Sequence, residues 1–282
     1  MSAGSYRVGL LGYGIESSLT PAVHVREAEA LGLDYDYEIL DLSHRPDADL
    51  GAELSHLEQE GYSAVNVTHP FKQAVLEHVH HVSDAVRRIG ATNLVLLGQE
   101  RTAHNTDYAG FKVALEQFLD GRREQPVLQL GAGGAGRATA CALVDLGIED
   151  VVVHDISEDA TRELVARFGQ DCPRLRSSEK DLERWVDRAA GVVHVTPTGM
   201  KEHPGIAIDV GRLPEGAWVA EVVYRPLETE LLRRARARGL PTLDGGAMAV
   251  GQAIESIRLI TGRAPDPARA HRHFAELVGE GQ

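Results

Sequence analysis

A glycine-rich stretch, Gly131-Ala-Gly-Gly-Ala-Gly136, carries the most specific chemical signal in the sequence. Its glycines have the G-x-G-x-x-G spacing. In that pattern the first glycine permits a tight turn, the second lets a pyrophosphate approach the backbone, and the third lets a helix pack on a strand. Free amide N–H groups at the start of the following helix would then face the phosphates. A plain tight turn is the alternative interpretation, because the glycine pattern alone is weak.

The segments on both sides of this stretch favour dinucleotide binding. Val127 to Leu130 is an apolar run that predicts a buried strand, and Ala138 to Leu146 is rich in helix-forming residues. A second apolar run, Val151 to Val153, is followed by Asp155, nineteen residues after Gly136. A carboxylate at about 20 residues accepts hydrogen bonds from the ribose hydroxyls of such a cofactor. The sequence therefore predicts a strand, a turn, a helix and a second strand that together bind a dinucleotide.

A second group of polar side chains lies near predicted strands of the N-terminal part. Asn66, Thr68 and Lys72 lie at or just after the end of one strand, Asn93 adds an amide, and Asp107 places a carboxylate at a helix start. Ligands of open α/β sheets bind beyond the carboxyl ends of the strands. Each residue also has an ordinary structural explanation: Lys72 as a solvated lysine, Asp107 as a helix cap and Asn93 as a turn residue.

Composition and charge exclude several classes of protein. The 282 residues are enough for two domains, and 43% hydrophobic with 25% charged residues is typical of a soluble globular chain. The net charge of -13 argues against a nucleic-acid or anionic-membrane partner, although a local site can still bind a small anion. No apolar run approaches the ~20 residues of a membrane helix, and no signal-peptide pattern is present.

The cysteines and histidines do not indicate a metal site. Cys141 and Cys172 form neither a disulfide framework nor a metal-ligand spacing, so a reducing cytoplasm is the expected location. The segment Glu77-His-Val-His-His81 does not fit a known ligand spacing. We expect it to be a solvated helix end, with no metal bound.

The elements that must position these residues alternate between strand and helix, as in α/β proteins. Thr20 is expected to cap a helix with Pro21 at its first position, and Thr106 to cap a helix from Asp107 to Leu119. The middle of the chain has the pattern of a doubly wound parallel sheet. Other helices are predicted at 71–89, 158–168 and 180–189, and two final helices, 247–261 and 267–278, are expected to pack on the N-terminal domain.

The chain resembles the shikimate dehydrogenase family in eight motifs that occur in order between positions 18 and 252. Each motif alone is weak, but together they are highly specific. Six segments match a family motif: Asn66–Lys72 (N-V-T-x-P-x-K), Gly90–Asn93 (G-A-x-N), Asn105–Gly110 (N-T-D-x-x-G), Gly131–Ala138 (G-A-G-G-x-x-x-A), Thr196–Met200 (T-P-x-G-M) and Tyr224–Leu232 (Y-x-P-x-x-T-x-L-L). Two more are similar to one: Ser18–His24 to S-x-S-P-x-x-H, and Gly246–Gln252 to the G-x-x-M-L-x-x-Q block.

The resemblance implies that Lys72 and Asp107 form the catalytic pair. Oxidation of a ring alcohol sends a hydride to the nicotinamide and a proton to a base, and a lysine beside a carboxylate can take or relay that proton. The family also implies that the hydroxyls of Ser18 and Thr20 bind the substrate carboxylate. The other substrate-binding residues that the resemblance implies are Asn66, Thr68, Asn93, Tyr224 and Gln252, in addition to Lys72 and Asp107.

The cofactor implied by the resemblance is a nicotinamide dinucleotide, and we expect NAD. NADP-using members have a basic N-R-T-type segment where this chain has His154-Asp-Ile-Ser-Glu158, and a carboxylate at Asp155 would repel a 2′-phosphate. The cofactor-binding residues implied are Gly131, Ala132, Gly133, Gly134, Ala135, Asp155, Thr196, Pro197, Gly199, Met200, Val222, Gly245 and Met248.

Two residues bear on the branch of the family, and a third departs from the family pattern without indicating a branch. Thr20 replaces the serine that biosynthetic members usually have, and with His69 it resembles the quinate/shikimate dehydrogenase branch. His194 replaces an asparagine that usually precedes the A-T-P segment, and the sequence offers no interpretation of that change.

The predicted fold class is therefore α/β with two domains. An α/β substrate-binding and catalytic domain is expected at 1–106 and 244–282, and a Rossmann-type doubly wound parallel sheet at 107–243, with the substrate cleft between them. The expected activity is NAD-dependent oxidation of quinate and/or shikimate to the 3-dehydro acid, by a monomer or homodimer. The alternatives are an NADP-dependent biosynthetic shikimate dehydrogenase, an aminoshikimate or aminoquinate dehydrogenase, and a catalytically silent NAD-binding regulator.

Overall fold

The structure is a computed structural model that describes residues 4–179 and 181–280. These residues form two compact units: the first unit contains 4–110 and 250–280, and the second contains 111–249. The unit boundaries fall a few residues beyond the predicted domain boundaries, because each lies inside a helix rather than before it. That the first unit binds the substrate and the second the dinucleotide stays a prediction at this point.

Twelve strands are present in the described residues, six in each unit. Those of the first unit are β1 (Ser5–Gly12), β2 (Asp34–Asp41), β3 (Ala64–Val67), β4 (His81–Val82), β5 (Leu94–Leu96) and β6 (Thr102–His104). Those of the second unit are β7 (Val127–Leu130), β8 (Val151–His154), β9 (Arg176–Ser177), β10 (Gly191–His194), β11 (Trp218–Glu221) and β12 (Thr242–Leu243).

Ten α-helices and two 3-10 helices accompany these strands in the described residues. The α-helices are α1 (Thr20–Ala30), α2 (Leu50–Gln59), α3 (Asp84–Ile89), α4 (Thr106–Leu119), α5 (Gly134–Asp145), α6 (Glu158–Phe168), α7 (Leu182–Val186), α8 (Glu230–Ala237), α9 (Gly245–Thr261) and α10 (Pro267–Glu280). The 3-10 helices are Ala74–His78 and Val210–Arg212. No described helix is both long and apolar enough to cross a membrane.

The sheet of the first unit is mixed, with strand order β2-β1-β3-β5-β6-β4. β1 is parallel to both β2 and β3, whereas β5 is antiparallel to β3 and β6. Helix α10 and the part of α9 from Val250 onward belong to this unit, as predicted, whereas the first turn of α9 belongs to the second unit. α10 packs on α1, where Arg269 Nη2 lies 2.9 Å from the fully buried carboxylate of Glu27.

The sheet of the second unit is fully parallel, with order β12-β11-β10-β7-β8-β9. Counted from β7, the strands lie in the 3-2-1-4-5-6 order of a Rossmann fold. The predicted doubly wound parallel sheet is therefore confirmed. The strand order reverses at β7, and ligands of such sheets bind beyond the carboxyl ends of the strands at that point.

Several local predictions were wrong. The predicted helix 71–89 is a 3-10 helix, the short strand β4 and α3, and the predicted helix 180–189 is only α7, with Lys180 outside the described residues. Thr20 does not cap α1: the helix begins at Thr20 itself, and the position before it makes no side-chain capping bond. α4 begins at Thr106, and the capping bond comes from Asn105, whose Oδ1 accepts from Tyr108 N at 2.9 Å.

Candidate active site

Lys72 and Asp107 form an ion pair in the first unit. Lys72 Nζ lies 2.5 Å from Asp107 Oδ2, and the two side chains are 18% and 12% exposed. Lys72 follows β3, and Asp107 is the second residue of α4. The structure therefore brings together the two residues that separate motifs predicted as a pair, and it leaves both partly accessible to a ligand.

Backbone and amide bonds hold the two members of this pair. The carbonyl of Lys72 accepts from Thr92 N at 2.8 Å, which ties the segment after β3 to the segment before β5. Asn93 Oδ1 accepts from Thr106 N at 2.7 Å and so fixes the start of α4 directly before Asp107. The carboxylate is therefore placed by its helix, and the ammonium by its neighbouring strand.

A buried amide–hydroxyl network lies next to the pair. Asn66 Nδ2 donates to Asn93 O at 3.2 Å and to Ser256 Oγ at 3.3 Å, while Asn93 Nδ2 donates to Thr106 Oγ1 at 2.9 Å. Thr106 Oγ1 lies 3.0 Å from Ser256 Oγ, and Tyr37 OH donates to Asn66 Oδ1 at 2.9 Å. These bonds make Asn66 and Asn93 structural supports of the pair. Their predicted contact with substrate stays a prediction.

The hydroxyl groups predicted to bind substrate make fewer hydrogen bonds within the first unit than Asn66 and Asn93 do. Ser18 Oγ accepts from Thr20 N at 3.2 Å, whereas Thr20 Oγ1 and Thr68 Oγ1 have no hydrogen-bond partner among residues 4–179 and 181–280. β1 and β3 are parallel neighbours, so the segments that follow them lie at one edge of the sheet. A Cβ added to Gly12 would lie only 2.4 Å from Thr68 Cγ2, which shows how closely those segments approach.

Gln252 lies on the part of α9 that belongs to the first unit, whereas Tyr224 lies in the second unit. Ser256, which the sequence analysis did not identify, comes one helical turn after Gln252. Residues four apart share a face of a helix, so this spacing was the available signal.

The glycine turn in the second unit has the geometry predicted for it. Gly131 has a φ of +114°, and a Cβ there would lie 2.9 Å from Val195 O. A Cβ on Gly136 would lie 2.4 Å from Gly131 O, whereas no atom lies within 4 Å of the Cβ position of Gly133. The first glycine thus makes the turn and the third lets α5 pack on β7. The second leaves open space beside the first amide groups of α5, as a pyrophosphate would require.

Gln129, on β7, stabilises this turn through hydrogen bonds to its backbone. The sequence analysis did not identify this residue. It is fully buried, and its Nε2 donates to Gly131 O and Gly136 O, both at 2.9 Å. Its Oε1 accepts from Thr139 Oγ1 at 3.0 Å. A single polar residue inside the apolar run of β7 was the signal, because a buried amide must find hydrogen-bond partners.

Asp155 follows β8 directly and bonds to the glycine turn. Its Oδ2 accepts from Ala132 N at 2.8 Å, and its Oδ1 accepts from Ser157 N at 2.8 Å. The cap of α6 is Ser157, whose Oγ accepts from Ala160 N at 3.2 Å, so Asp155 does not cap that helix. The carboxylate therefore lies beside the turn, where a ribose diol would be bound in this fold.

His154 does not supply a positive charge beside Asp155 at neutral pH. Its Nδ1 lies 2.8 Å from Ser178 Oγ, and burial lowers the pKa of the imidazole below its ordinary value. Asp155 acts in the opposite direction, but the effect of burial is the larger. His154 therefore adds no positive charge next to the Asp155 carboxylate.

The remaining predicted cofactor residues lie at the carboxyl end of the same sheet or on α9. Thr196, Pro197, Gly199 and Met200 form the loop that follows β10, and Gly199 N donates to His203 O at 2.7 Å. A Cβ on Gly245 would lie 2.4 Å from Val222 O, which shows that the start of α9 packs closely against the segment after β11. The structure thus gathers most of these residues, predicted from dispersed motifs, at one edge.

A Rossmann unit with this glycine turn, in a chain that also carries a lysine–carboxylate pair, defines the class of nicotinamide-dinucleotide oxidoreductases. Residues 10–95 match the family model for the shikimate dehydrogenase substrate binding domain. The NADP(+) shikimate dehydrogenase of Streptomyces avermitilis is 46% identical over 287 residues, which cover 99% of this chain and 98% of that protein.

The chain is also similar to the NAD(+) quinate/shikimate dehydrogenase of Corynebacterium glutamicum, with 39% identity over 97% of this chain and 99% of the relative. A solved structure of quinate dehydrogenase from Corynebacterium glutamicum in complex with NAD superposes with a TM-score of 0.90 at 39% identity, over 96% of this chain and 99% of that one. The protein belongs to the shikimate dehydrogenase family.

Proposed function

We propose that this protein oxidises quinate and/or shikimate to the 3-dehydro acid with NAD as the acceptor. The observation that carries the proposal is the partly accessible Lys72–Asp107 pair, with Nζ and Oδ2 2.5 Å apart. The two relatives described above are a shikimate dehydrogenase and a quinate/shikimate dehydrogenase. A catalytically silent regulator would have no need of this pair.

The chemistry supplied by a bound nicotinamide is acceptance of the hydride from the ring carbon that bears the hydroxyl. The protein must then remove the hydroxyl proton as the C–O bond becomes a carbonyl. Lys72 and Asp107 take or relay that proton, because an acid–base group must lie within hydrogen-bond reach of the hydroxyl. The bonds from Asn93 and Asn105 to the start of α4 hold Asp107 in place for this step.

The substrate carboxylate would be bound by neutral donors. Ser18 and Thr20 lie after β1, and the Thr20 hydroxyl is not used as a helix cap. Hydroxyl donors bind a carboxylate without a positively charged field, which agrees with the chain's net charge of -13. Thr68, at the neighbouring strand end, would reach a ring hydroxyl from the same edge.

The preference for NAD is supported by Asp155. Its carboxylate lies beside the glycine turn, held at 2.8 Å by Ala132 N, where it would accept from the ribose hydroxyls and repel a 2′-phosphate. His154 cannot offset that repulsion at neutral pH, since burial lowers its pKa.

A second candidate is an NADP-dependent shikimate dehydrogenase. The observation in its favour is the higher identity, 46% against 39%, to a relative that carries an NADP(+) name. The two candidate functions require the same fold and the same lysine–carboxylate pair, and they differ in whether the site beside Asp155 accepts a 2′-phosphate.

The test is a turnover matrix with purified protein, in which quinate or shikimate is combined with NAD or NADP and the absorbance of the reduced cofactor is followed. We expect turnover of at least one acid with NAD and a much lower kcat/KM with NADP. Turnover of shikimate with NADP alone would establish the second candidate. Absence of turnover in every combination would show that the proposed function is wrong.

A further inference from the structure

His194, whose sequence context gave no interpretation, is the last residue of β10 and lies beside Glu221, the last residue of β11. The two strands are parallel, and these two residues are register partners. Their side chains are 1% and 0% exposed, and His194 Nδ1 lies 2.9 Å from Glu221 Oε1. An imidazole–carboxylate pair is thus enclosed directly beneath the edge where the cofactor residues lie.

Groups other than His194 also donate hydrogen bonds to the Glu221 carboxylate. Val222 N and Val223 N donate to Oε1 at 2.9 and 3.0 Å, and Thr229 Oγ1 donates to Oε2 at 3.2 Å. Because the carboxylate oxygens already accept these bonds, the group on His194 that fits them is an Nδ1–H donor. The carboxylate therefore fixes both the tautomer and the orientation of the ring, as carboxylates do for histidines in many sites.

The other ring nitrogen faces the loop after β10. His194 Nε2 lies 2.5 Å from Thr196 Oγ1, which also accepts from Thr198 N at 3.3 Å. In the tautomer that directs Nδ1–H at Glu221, Nε2 accepts from the Thr196 hydroxyl, which in turn accepts from Thr198 N. A continuous chain runs from Glu221 through His194 to Thr196, the first residue of the loop 196–200.

This loop lies beside the glycine turn. Val195 N donates to Leu130 O at 2.8 Å, and Val195 O lies within 2.9 Å of the Cβ position of Gly131. β7 and β10 flank the point where the strand order reverses, which is where the dinucleotide of a Rossmann fold passes between the two halves of the sheet.

We propose that His194 is a positioning residue: the chain Glu221–His194–Thr196 fixes the Thr196 hydroxyl and holds the loop 196–200 against the nicotinamide end of the cofactor. This inference rests on the proposed function. It predicts that His194 affects the nicotinamide half of the cofactor and leaves the adenosine half unaffected.

Two amide substitutions separate the two ends of the ring. In His194→Asn the amide nitrogen falls near the Nδ1 position, so the bond to Glu221 is kept and the bond to Thr196 is lost. In His194→Gln the amide falls near the Nε2 position, so the bond to Thr196 is kept. Thr196→Val removes the hydroxyl with little change of shape, and Leu164→Ala, a buried change on α6, controls for general destabilisation.

The readout compares NAD with ADP-ribose, which has the same adenosine and pyrophosphate but no nicotinamide. We expect His194→Asn to raise the Kd of NAD about 5- to 10-fold, as loss of one hydrogen bond does, and to leave the Kd of ADP-ribose unchanged. His194→Gln should restore NAD binding, and His194→Asn combined with Thr196→Val should lose no more than Thr196→Val alone. Leu164→Ala should not change the ratio of the two affinities.

Equal weakening of NAD and ADP-ribose in His194→Asn would show a merely structural role and overturn the inference. Unchanged NAD binding in the same variant would overturn it as well. Both affinities are measured by calorimetry without turnover. An inactive wild type would therefore contradict the proposed function while the affinities still decide the role of His194. If the matrix shows NADP to be the cofactor, NADP and 2′-phospho-ADP-ribose replace the two ligands.

Discussion

Two pairs of a basic side chain and a carboxylate lie near strand ends in this protein, and they differ in access. Lys72–Asp107 in the first unit is 18% and 12% exposed, and within the described part of the chain the ammonium donates to the carboxylate of Asp107 alone. His194–Glu221 in the second unit is 1% and 0% exposed, and its carboxylate also accepts from Val222, Val223 and Thr229.

This difference in access matches two different roles, proton exchange with a substrate and orientation of a loop. A group that exchanges a proton with a substrate needs an accessible atom, so it cannot be fully enclosed or fully bonded. A group that orients a loop works best when all its bonds are made and water is excluded. Substitutions in the partly accessible Lys72–Asp107 pair should therefore reduce turnover with little loss of stability. Substitutions in the enclosed His194–Glu221 pair should first reduce stability and the correct placement of the loop 196–200.

The largest loss of turnover is expected from substitutions in the Lys72–Asp107 pair. Lys72→Ala and Asp107→Ala should each lower kcat by ~10²–10⁴, the usual contribution of a positioned acid–base group. The double variant should lose little more than either single one, because the two residues act as a unit. Steady-state assays with the preferred acid and cofactor measure this, with Lys112→Ala, a lysine of α4 outside the pair, as the control. Fully additive losses would contradict the pair.

Substitutions in the enclosed His194–Glu221 pair should instead lower the free energy of unfolding. Glu221→Gln replaces one acceptor oxygen by an amide group, which leaves at least one buried donor unpaired at a cost of about 1–3 kcal/mol. Urea denaturation should show this loss in Glu221→Gln. Glu230→Gln, whose exposed carboxylate pairs with Arg233 and Arg234 on α8, should lose less than about 1 kcal/mol. A Glu221→Gln variant as stable as wild type would remove the physical basis of the comparison.

A smaller effect is expected at the cofactor's ribose. Asp155→Ser should lower the ratio of kcat/KM for NAD to that for NADP by about 10-fold or more, since 1.4 kcal/mol corresponds to a factor of ten. Ser157 is the cap of α6, so this change should not remove the helix cap. Asp159→Ser, an exposed acid in the first turn of the same helix, is the control and should leave the ratio unchanged. An unchanged ratio in Asp155→Ser would favour the NADP candidate.

The smallest effect is expected at Thr20. Its hydroxyl caps no helix and its methyl restricts χ1, so Thr20→Ser should leave stability nearly unchanged. We expect the ratio of kcat/KM for quinate to that for shikimate to fall by up to about 10-fold, because the two acids differ at the carbon that bears the carboxylate. Thr261→Ser, at the end of α9, serves as the matched conservative control. A ratio that does not change would exclude Thr20 from substrate discrimination.

The parts of the site that could be predicted depend on short-range patterns. Gly131 and Gly136 have the geometry predicted from their spacing, and α6 spans the residues expected for it. The helix starts at Thr20 and Thr106 were misassigned as caps, because a hydroxyl near a helix start does not show which neighbour makes the bond. Such ambiguities of one or two residues are resolved only by the backbone geometry.

The parts that could not be predicted depend on register and on contacts between distant segments. His194 and Glu221 meet only because β10 and β11 are parallel in one register, and Asn66 meets Ser256 across 190 residues of sequence. No motif or periodicity contains that information. The partners of the two ring nitrogens of His194, Glu221 and Thr196, are therefore visible only in the folded structure.

The most direct test of the account is the rate of the first hydride transfer in Asp107→Asn, which keeps the shape of the side chain and removes its charge. Wild type and variant are mixed with saturating acid and cofactor in a stopped-flow spectrophotometer, and appearance of the reduced cofactor is followed within one turnover. We expect a first-turnover rate ~10²–10⁴-fold below wild type, with an unchanged melting temperature and an unchanged Kd for the cofactor. A first-turnover rate within about threefold of wild type would contradict the assignment of the Lys72–Asp107 pair to the chemical step.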